Sequence, residues 1–344
     1  MTELAFAHGG PPLSGRLRVS AEDFEVEEIL GFEADGTGEH ALLWIEKRDA
    51  NTEWVARQLA GFAGVAPLAV GFSGLKDRHA LTRQAFSVQL PGRAGPDWSA
   101  LQVEGVRVLE VRRHSRKLKR GVHAGNRFRI RLHELQGSRA EAEHRLGAIA
   151  AHGVPNYFGE QRFGRGGENL RTARALFAGA RMHRSQRGFA LSAARSHLFN
   201  RVLDQRVGAG SWNRALEGEV WMLAGSQSIF GPQAIDDTLL QRLEAFDIDP
   251  TGPMWGRGEL RSSAQVAEIE QGIAAADEVL AQGLAGEGLR QERRSLRLRV
   301  EGLRHSWSEE GSLLLEFSLP SGCFATSVLR EVCAYAADVA GSTG

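Results

Sequence analysis

The stretch Gly125-Asn126-Arg127-Phe128-Arg129-Ile130-Arg131-Leu132 alternates apolar with charged side chains. Successive side chains of a β-strand point to opposite faces, so this period marks a half-buried strand. Phe128, Ile130 and Leu132 are expected to face a core, with Arg127, Arg129 and Arg131 forming an all-arginine row on the other side. The same period occurs upstream, where Phe24 and Val26 alternate with acids and Phe86, Val88 and Leu90 repeat at every second position. Residues 41–47 and 68–72 are further short apolar runs, the second expected as a buried strand ending in the turn Ser73-Gly74. Between them, Asn51 or Thr52 can cap a helix whose Val55, Leu59 and Phe62 share one face.

Downstream the pattern changes. Ser138 with Glu141 reads as a capping box before a helix to about Ala151, and Ser192 as the start of an amphipathic segment through Leu203. Residues 153–167 are loop-rich, and 231–283 read as helical and acidic, punctuated by Pro250, Gly252 and Pro253. Strand signals return at 296–300 and 313–319, followed by a last helix near 327–339. Strands first, helices in the middle and strands last predict an α+β fold interrupted by an inserted domain.

The chain's 344 residues suggest two domains, and with 42% hydrophobic and 24% charged residues the composition is that of a folded globular protein. Cys323 and Cys333 are too few for a disulfide scaffold. No basic-then-apolar leader opens the sequence and no apolar run is long enough to span a bilayer, which together predict a cytoplasmic protein. The 42 basic and 42 acidic residues cancel in sum but not in distribution. Residues 111–131 hold nine Lys and Arg and no acid, and 161–188 hold seven Arg against Glu168 alone. Such runs are an electrostatic footprint for phosphate, or else a solvated charged face.

Within this organisation Gly74-Leu75-Lys76-Asp77-Arg78-His79-Ala80 places one carboxylate among cationic side chains in a turn between two expected strands. An ionised Asp there can act as nucleophile or general base; an ordinary polar turn with a surface ion pair has the same residues. Gly125-Asn126 offers an amide that can read the edge of an unpaired base, and equally makes a turn. Residues 156–167 mix aromatics, Arg and Gly as nucleic-acid loops do, without a dinucleotide fingerprint or P-loop. No His-Glu-x-x-His or Cys/His cluster occurs among the 11 His, so neither a metal nor an organic cofactor is expected.

In the turn at 74–80, and in Asn156-Tyr157-Phe158-Gly159, Gln161-Arg162-Phe163-Gly164, Leu191-Ser192-Ala193-Ala194-Arg195-Ser196 and Gly322-Cys323-Phe324-Ala325-Thr326-Ser327, the sequence resembles the TruD family of tRNA pseudouridine synthases. Glu22-Asp23-Phe24, Gly38-Glu39-His40, Asn51-Thr52 and Lys117-Leu118-Lys119 extend the resemblance in order over nearly the whole chain. The resemblance implies a mixed, mainly antiparallel catalytic sheet domain over residues 1–152 plus 300–344, and an inserted α/β domain over 153–299. It also implies a cofactor-free isomerase converting uridine to pseudouridine at position 13 of tRNA, with Asp77 matching the catalytic aspartate. Phe24, Asn126 and Phe324 fall on positions lining the uridine pocket, and Lys76 is grouped with them as substrate-binding. Arg18 stands where the family has a lysine, keeping the charge, and Cys323 where serine is more usual. tRNA is the one partner implied, with neither a membrane nor a second protein. A catalytically silent RNA-binding or chaperone protein is the alternative, and a phosphate-binding metabolic enzyme a third reading that lacks a cofactor motif.

Overall fold

The computed structural model describes residues 4–337. In chain order the strands and helices begin with β1 (Leu13–Leu17), β2 (Phe24–Ile29), β3 (His40–Arg48), α1 (Thr52–Ala63), β4 (Val70–Phe72), β5 (Leu81–Gln89), β6 (Val106–His114), β7 (Gly125–Gly137) and α2 (Arg139–His152). The middle contains β8 (Val154–Pro155), α3 (Glu168–Phe177), α4 (Arg184–Gly208), β9 (Trp221–Leu223), β10 (Ile229–Phe230), α5 (Asp237–Glu244), β11 (Ile248–Met254), α6 (Ala264–Ala276), α7 (Glu278–Gly286), β12 (Glu292–Ser295) and β13 (Arg297–Leu298). The chain closes with β14 (Glu301–Trp307), β15 (Leu313–Pro320), α8 (Ala325–Val332) and β16 (Cys333–Ala337). This is an α+β architecture.

Two compact units account for the described residues, one made of 12–142, 300–322 and 333–337 and the other of 4–11, 143–299 and 323–332. The first, a sheet unit, is built on ten strands in the order β14-β15-β7-β2-β5-β3-β6, with β1, β4 and β16 attached beside this path. Its pairings are antiparallel except β2 with β5 and β1 with β16. α1 covers one face. Asn51 caps it by accepting from the Glu53 N–H at 2.9 Å, and Gly64 ends it in the left-handed conformation at φ 63°. Val55 and Leu59 pack with Leu43, Ile45, Phe86 and Val88, all fully buried. Each such side chain contributes about 1.5–3 kcal/mol.

Relative to the expected domain bounds, residues 4–11, 143–152 and 323–332 pack with the middle of the chain. Hydrogen bonds explain the grouping. Ala5 N donates to Asp204 Oδ1 at 2.7 Å, Ala7 N and His8 N to the Glu331 carboxylate, and Ser327 Oγ to Tyr157 O at 3.1 Å. In this second unit α4 packs against α3, α6 and α7, beside a sheet ordered β10-β9-β11-β12.

Several expectations are corrected. The run 68–72 is a strand only from Val70; Leu68 lies in a 3-10 turn, 84% exposed, because Pro67 opens that turn. α4 begins at Arg184, eight residues before Ser192, whose hydroxyl instead accepts from Arg162 Nη1 at 3.0 Å. The polar, exposed first turns of α4 give no apolar period to read. Residues 248–254 form strand β11, prolines included. β9 pairs only with Ile248–Pro250 and β12 only with Thr251–Met254, so each half of β11 carries a strand ladder on one edge only, with Leu296 N donating to Pro250 O at 2.8 Å beyond it, and a missing N–H is tolerated. The last helix stops at Val332 and the chain continues as β16; the expected end near Val339 lies outside the described residues.

The arginine row of β7 exists but is not bare. Antiparallel register sets Glu25 opposite Arg129 and Glu27 opposite Arg127 on β2, and Glu316 opposite Arg129 on β15. Arg129 Nη1 lies 2.6 Å from Glu25 and Arg127 Nη1 3.7 Å from Glu27. Exposed pairs of this kind add about 0–1 kcal/mol each, but they offset the field of Arg127 and Arg129, leaving Arg131, which donates to Ser312 Oγ at 3.1 Å, without an acid among the described residues. Within the two basic runs, the exposed cations for which no ion pair is seen among the described residues are Arg116 and Lys119 in the sheet unit and Arg165, Arg171, Arg181 and Arg184 in the other.

Candidate active site

The turn 74–80 joins β4 to β5, and three of its residues are each held by a different element. Gly74 O accepts from Gln84 Nε2 at 3.1 Å, Lys76 N donates to Thr52 Oγ1 at 3.0 Å, and Asp77 O accepts from Lys47 Nζ at 2.8 Å. Thr52 in turn donates to Gln84 Oε1 at 3.0 Å, and Lys47 donates a second hydrogen bond to Ala50 O at 2.7 Å. Lys47, Thr52 and Gln84 are all but inaccessible to solvent. Burial pulls the Lys47 ammonium down from its usual range to about 8, against the opposing pull of Asp77 and Asp49. Keeping it charged at neutral pH therefore costs the fold on the order of 3 kcal/mol.

The Asp77 side chain is 36% exposed, and its Oδ2 accepts from Arg18 Nη2 at 2.9 Å. The Arg18 guanidinium also lies 4.2 Å over the Phe24 ring. A planar cation can pair and stack at once, which an ammonium cannot do with the same geometry. Arg18 adopts φ 63°, the left-handed region, at a cost of about 1–3 kcal/mol that surrounding contacts must offset. Phe24 rests on Phe128 at 6.3 Å between centroids, and Phe128 on Phe317 at 5.4 Å.

Lys76, expected among the substrate-binding residues, is paired within the protein. Its Nζ lies 2.7 Å from Glu28 Oε2, with the two side chains 5% and 0% exposed. Glu28 Oε1 also accepts from Ala85 N at 3.3 Å. Asn126 sits opposite Glu28 in the β2–β7 ladder and therefore on the same sheet face. It is buried, and its Oδ1 has no hydrogen-bond partner among the described residues. An unpartnered buried acceptor costs about 1–3 kcal/mol, so the position favours a ligand that donates to it. Near the turn, His123 is held below its usual range by burial and by Lys76, with Ser321 Oγ 3.1 Å from its Nε2.

Arg18, Phe24, Lys76, Asp77 and Asn126 thus belong to the sheet unit, while Phe324 belongs to the other. There Phe324 packs beside Tyr157 and Phe158, with Arg162 Cζ 5.9 Å from its ring. The adjacent Cys323 thiol is pushed up by burial. Arg162 is partly buried over Phe158 and donates to Ser192 Oγ. Lys47, Glu28 and Gln84 escaped the sequence reading, although a signal existed. Lys47 is in phase with buried Leu43 and Ile45, and Glu28 with Phe24 and Val26. A charge at a core-facing position of an alternating strand is uncommon enough to single out.

Among the described residues no group of His, Cys, Asp or Glu could hold a metal ion, and no helix is long and apolar enough to cross a membrane.

The sequence pattern of the family described as tRNA pseudouridine synthase D (TruD) matches residues 3–179 and 171–332. A tRNA pseudouridine synthase D from Xanthomonas euvesicatoria is 50% identical over 343 residues, covering 95% of this chain and 93% of that protein. One from Methylococcus capsulatus is 51% identical, covering 96% and 94%. The crystal structure of a candidate tRNA pseudouridine synthase D from Methanosarcina mazei superposes with a TM-score of 0.73 at 23% identity, covering 95% of both chains, a likeness of fold.

Proposed function

The chain belongs to the TruD family of tRNA pseudouridine synthases, and on that footing we propose that it isomerises uridine at position 13 of tRNA with Asp77 as the reacting carboxylate. The isomerase acts on tRNA; the nucleotide position and the residue roles are the proposal. The observation that carries it is a partly exposed carboxylate, oriented by Arg18 at 2.9 Å, on a turn anchored from three elements of the sheet unit. Isomerisation breaks the C1′–N1 bond, turns the uracil, forms the C1′–C5 bond and loses the C5 proton while N1 takes one up, so that no atom is gained or lost overall. Glycosidic cleavage passes through an oxocarbenium-like state, which a carboxylate beside C1′ stabilises electrostatically or traps covalently.

A uridine stacked in a helical arm must first leave the stack, at a cost of a few kcal/mol. In the sheet unit the unpartnered Asn126 Oδ1 is an acceptor suited to the uracil N3–H, and Arg18 on Phe24 supplies a cationic, planar surface. Phe324 is assigned an aromatic contact with RNA on its own unit, and Lys76 the indirect task of neutralising Glu28.

Incubation of the protein with unmodified tRNA transcript and no added cofactor should yield carbodiimide-dependent primer-extension stops at position 13. Bound tRNA with no stops would leave an RNA-binding protein instead. Affinity should fall steeply with salt, because unpaired surface cations such as Arg116, Lys119 and Arg165 displace counterions from RNA. A flat dissociation constant between about 50 and 200 mM salt would contradict phosphate-driven binding. Asn126→Ala should slow single-turnover conversion by about 10- to 100-fold at saturating enzyme, with tRNA affinity within about threefold of the parent. An unchanged rate would return Asn126 to a purely structural place in β7.

A further inference from the structure

We propose that Lys47 is a positioning residue for the isomerisation: its buried Nζ, bonded to Asp77 O at 2.8 Å and Ala50 O at 2.7 Å, fixes the backbone that presents the Asp77 carboxylate. The inference rests on Asp77 being the reacting group. The carboxylate itself is steered by Arg18 from one side, but a side chain can be no better placed than its own backbone. That backbone lies in a turn, outside any strand ladder, where a connecting segment is mobile unless side chains tie it down. Gln84 from β5, Thr52 from the start of α1 and Lys47 from the end of β3 tie it at Gly74, Lys76 and Asp77 respectively.

Lys47 is the unusual member of the set. Thr52 and Gln84 are neutral, whereas Lys47 brings a charge to a wholly buried position and contacts no carboxylate oxygen within hydrogen-bond reach among the described residues. An ammonium bonded to carbonyls makes charge-assisted hydrogen bonds, about twice as strong as neutral ones. A fold that carries a buried charge where an apolar residue would stabilise it more follows the pattern of a functional position. The charged groups facing it are Asp77 and Asp49, which favour the ammonium, and Lys76, which opposes it; burial, with Lys76 acting in the same direction, outweighs the two aspartates and lowers Lys47 to about 8. Above that pH the neutral amine holds the two carbonyls more weakly, and the rate should decline while binding persists.

The test uses the full chain and unmodified tRNA transcript. Single-turnover rate at saturating enzyme, tRNA dissociation constant and thermal midpoint are measured across the pH range for the parent, Lys47→Met, Lys47→Arg and Asp77→Asn. Lys47→Met is expected to bind tRNA within about threefold of the parent and to react about 30- to 300-fold more slowly, the effect of roughly an ångström of misplacement. Lys47→Arg, which stays protonated, is expected to recover part of the rate and to shift the parent's alkaline decline to higher pH. A Lys47→Met rate within about threefold of the parent, a loss wholly explained by weaker binding, or an alkaline decline unchanged in Lys47→Arg overturns the proposal. Should Lys47→Met not fold, the pH profile of Lys47→Arg decides alone. An active Asp77→Asn would sink the assignment of Asp77 itself, whereas an inactive Asp77→Asn beside a fully active Lys47→Met sinks only the role of Lys47.

Discussion

Asp77→Asn is expected to fold and bind tRNA like the parent protein and to turn over about a thousandfold more slowly or worse. The amide has the shape of the carboxylate, and its oxygen can still accept from Arg18, so neither the turn nor its anchors at Lys47, Thr52 and Gln84 are disturbed. On the role proposed for Asp77, what disappears is the negative charge beside C1′, and with it both electrostatic stabilisation of an oxocarbenium and covalent capture. The measurement is the single-turnover rate of pseudouridine formation, with protein prepared from cells lacking the native enzyme. A residual rate within about a hundredfold of the parent would mean that another group carries the chemistry.

Lys76→Met should have the largest effect on stability, about 3–5 kcal/mol. Glu28 has a fully buried side chain, and its Oε2 is paired with Lys76 Nζ at 2.7 Å. Removing the ammonium strands a carboxylate where, among the described residues, only the Ala85 N–H, at 3.3 Å, remains as a donor. In a protein of this size the loss corresponds to a midpoint lowered by roughly 10 °C. Replacing both partners, as Glu28→Gln with Lys76→Met, should recover most of the loss, because a neutral amide is far less costly to bury than a charge. If Lys76→Met melts within about 2 °C of the parent, Glu28 is not confined as the structure places it, and Lys76 is free to meet substrate after all.

Several elements were legible in the order of the residues because local physics alone settles them. The alternation of Phe128, Ile130 and Leu132 fixes β7 and its buried face, and Asn51 followed by Val55 and Leu59 fixes α1. The placing of Asp77 in a turn between strands needs only the Gly74 turn and the flanking apolar runs. The ordered motifs identified the family, because many short matches in sequence are specific even when each is weak. Pro250 and Pro253 misled, since a proline's effect on a strand depends on which edge carries the ladder, and that is set by β9 and β12.

What the tertiary structure decided concerns groups brought together from distant parts of the chain. The arginine row reads as a bare cationic face until register places Glu25, Glu27 and Glu316 against it, 104 residues away in the case of Glu25 and Arg129. Arg18 and Asp77 are 59 residues apart and meet at 2.9 Å, and Lys76 pairs with Glu28 over 48 residues. Alternation in a sequence tells which face of a strand a residue occupies, but not which strand lies beside it. Electrostatic energy depends on the distance to that neighbour, so side-chain pairings at this site were fixed only when the sheet assembled.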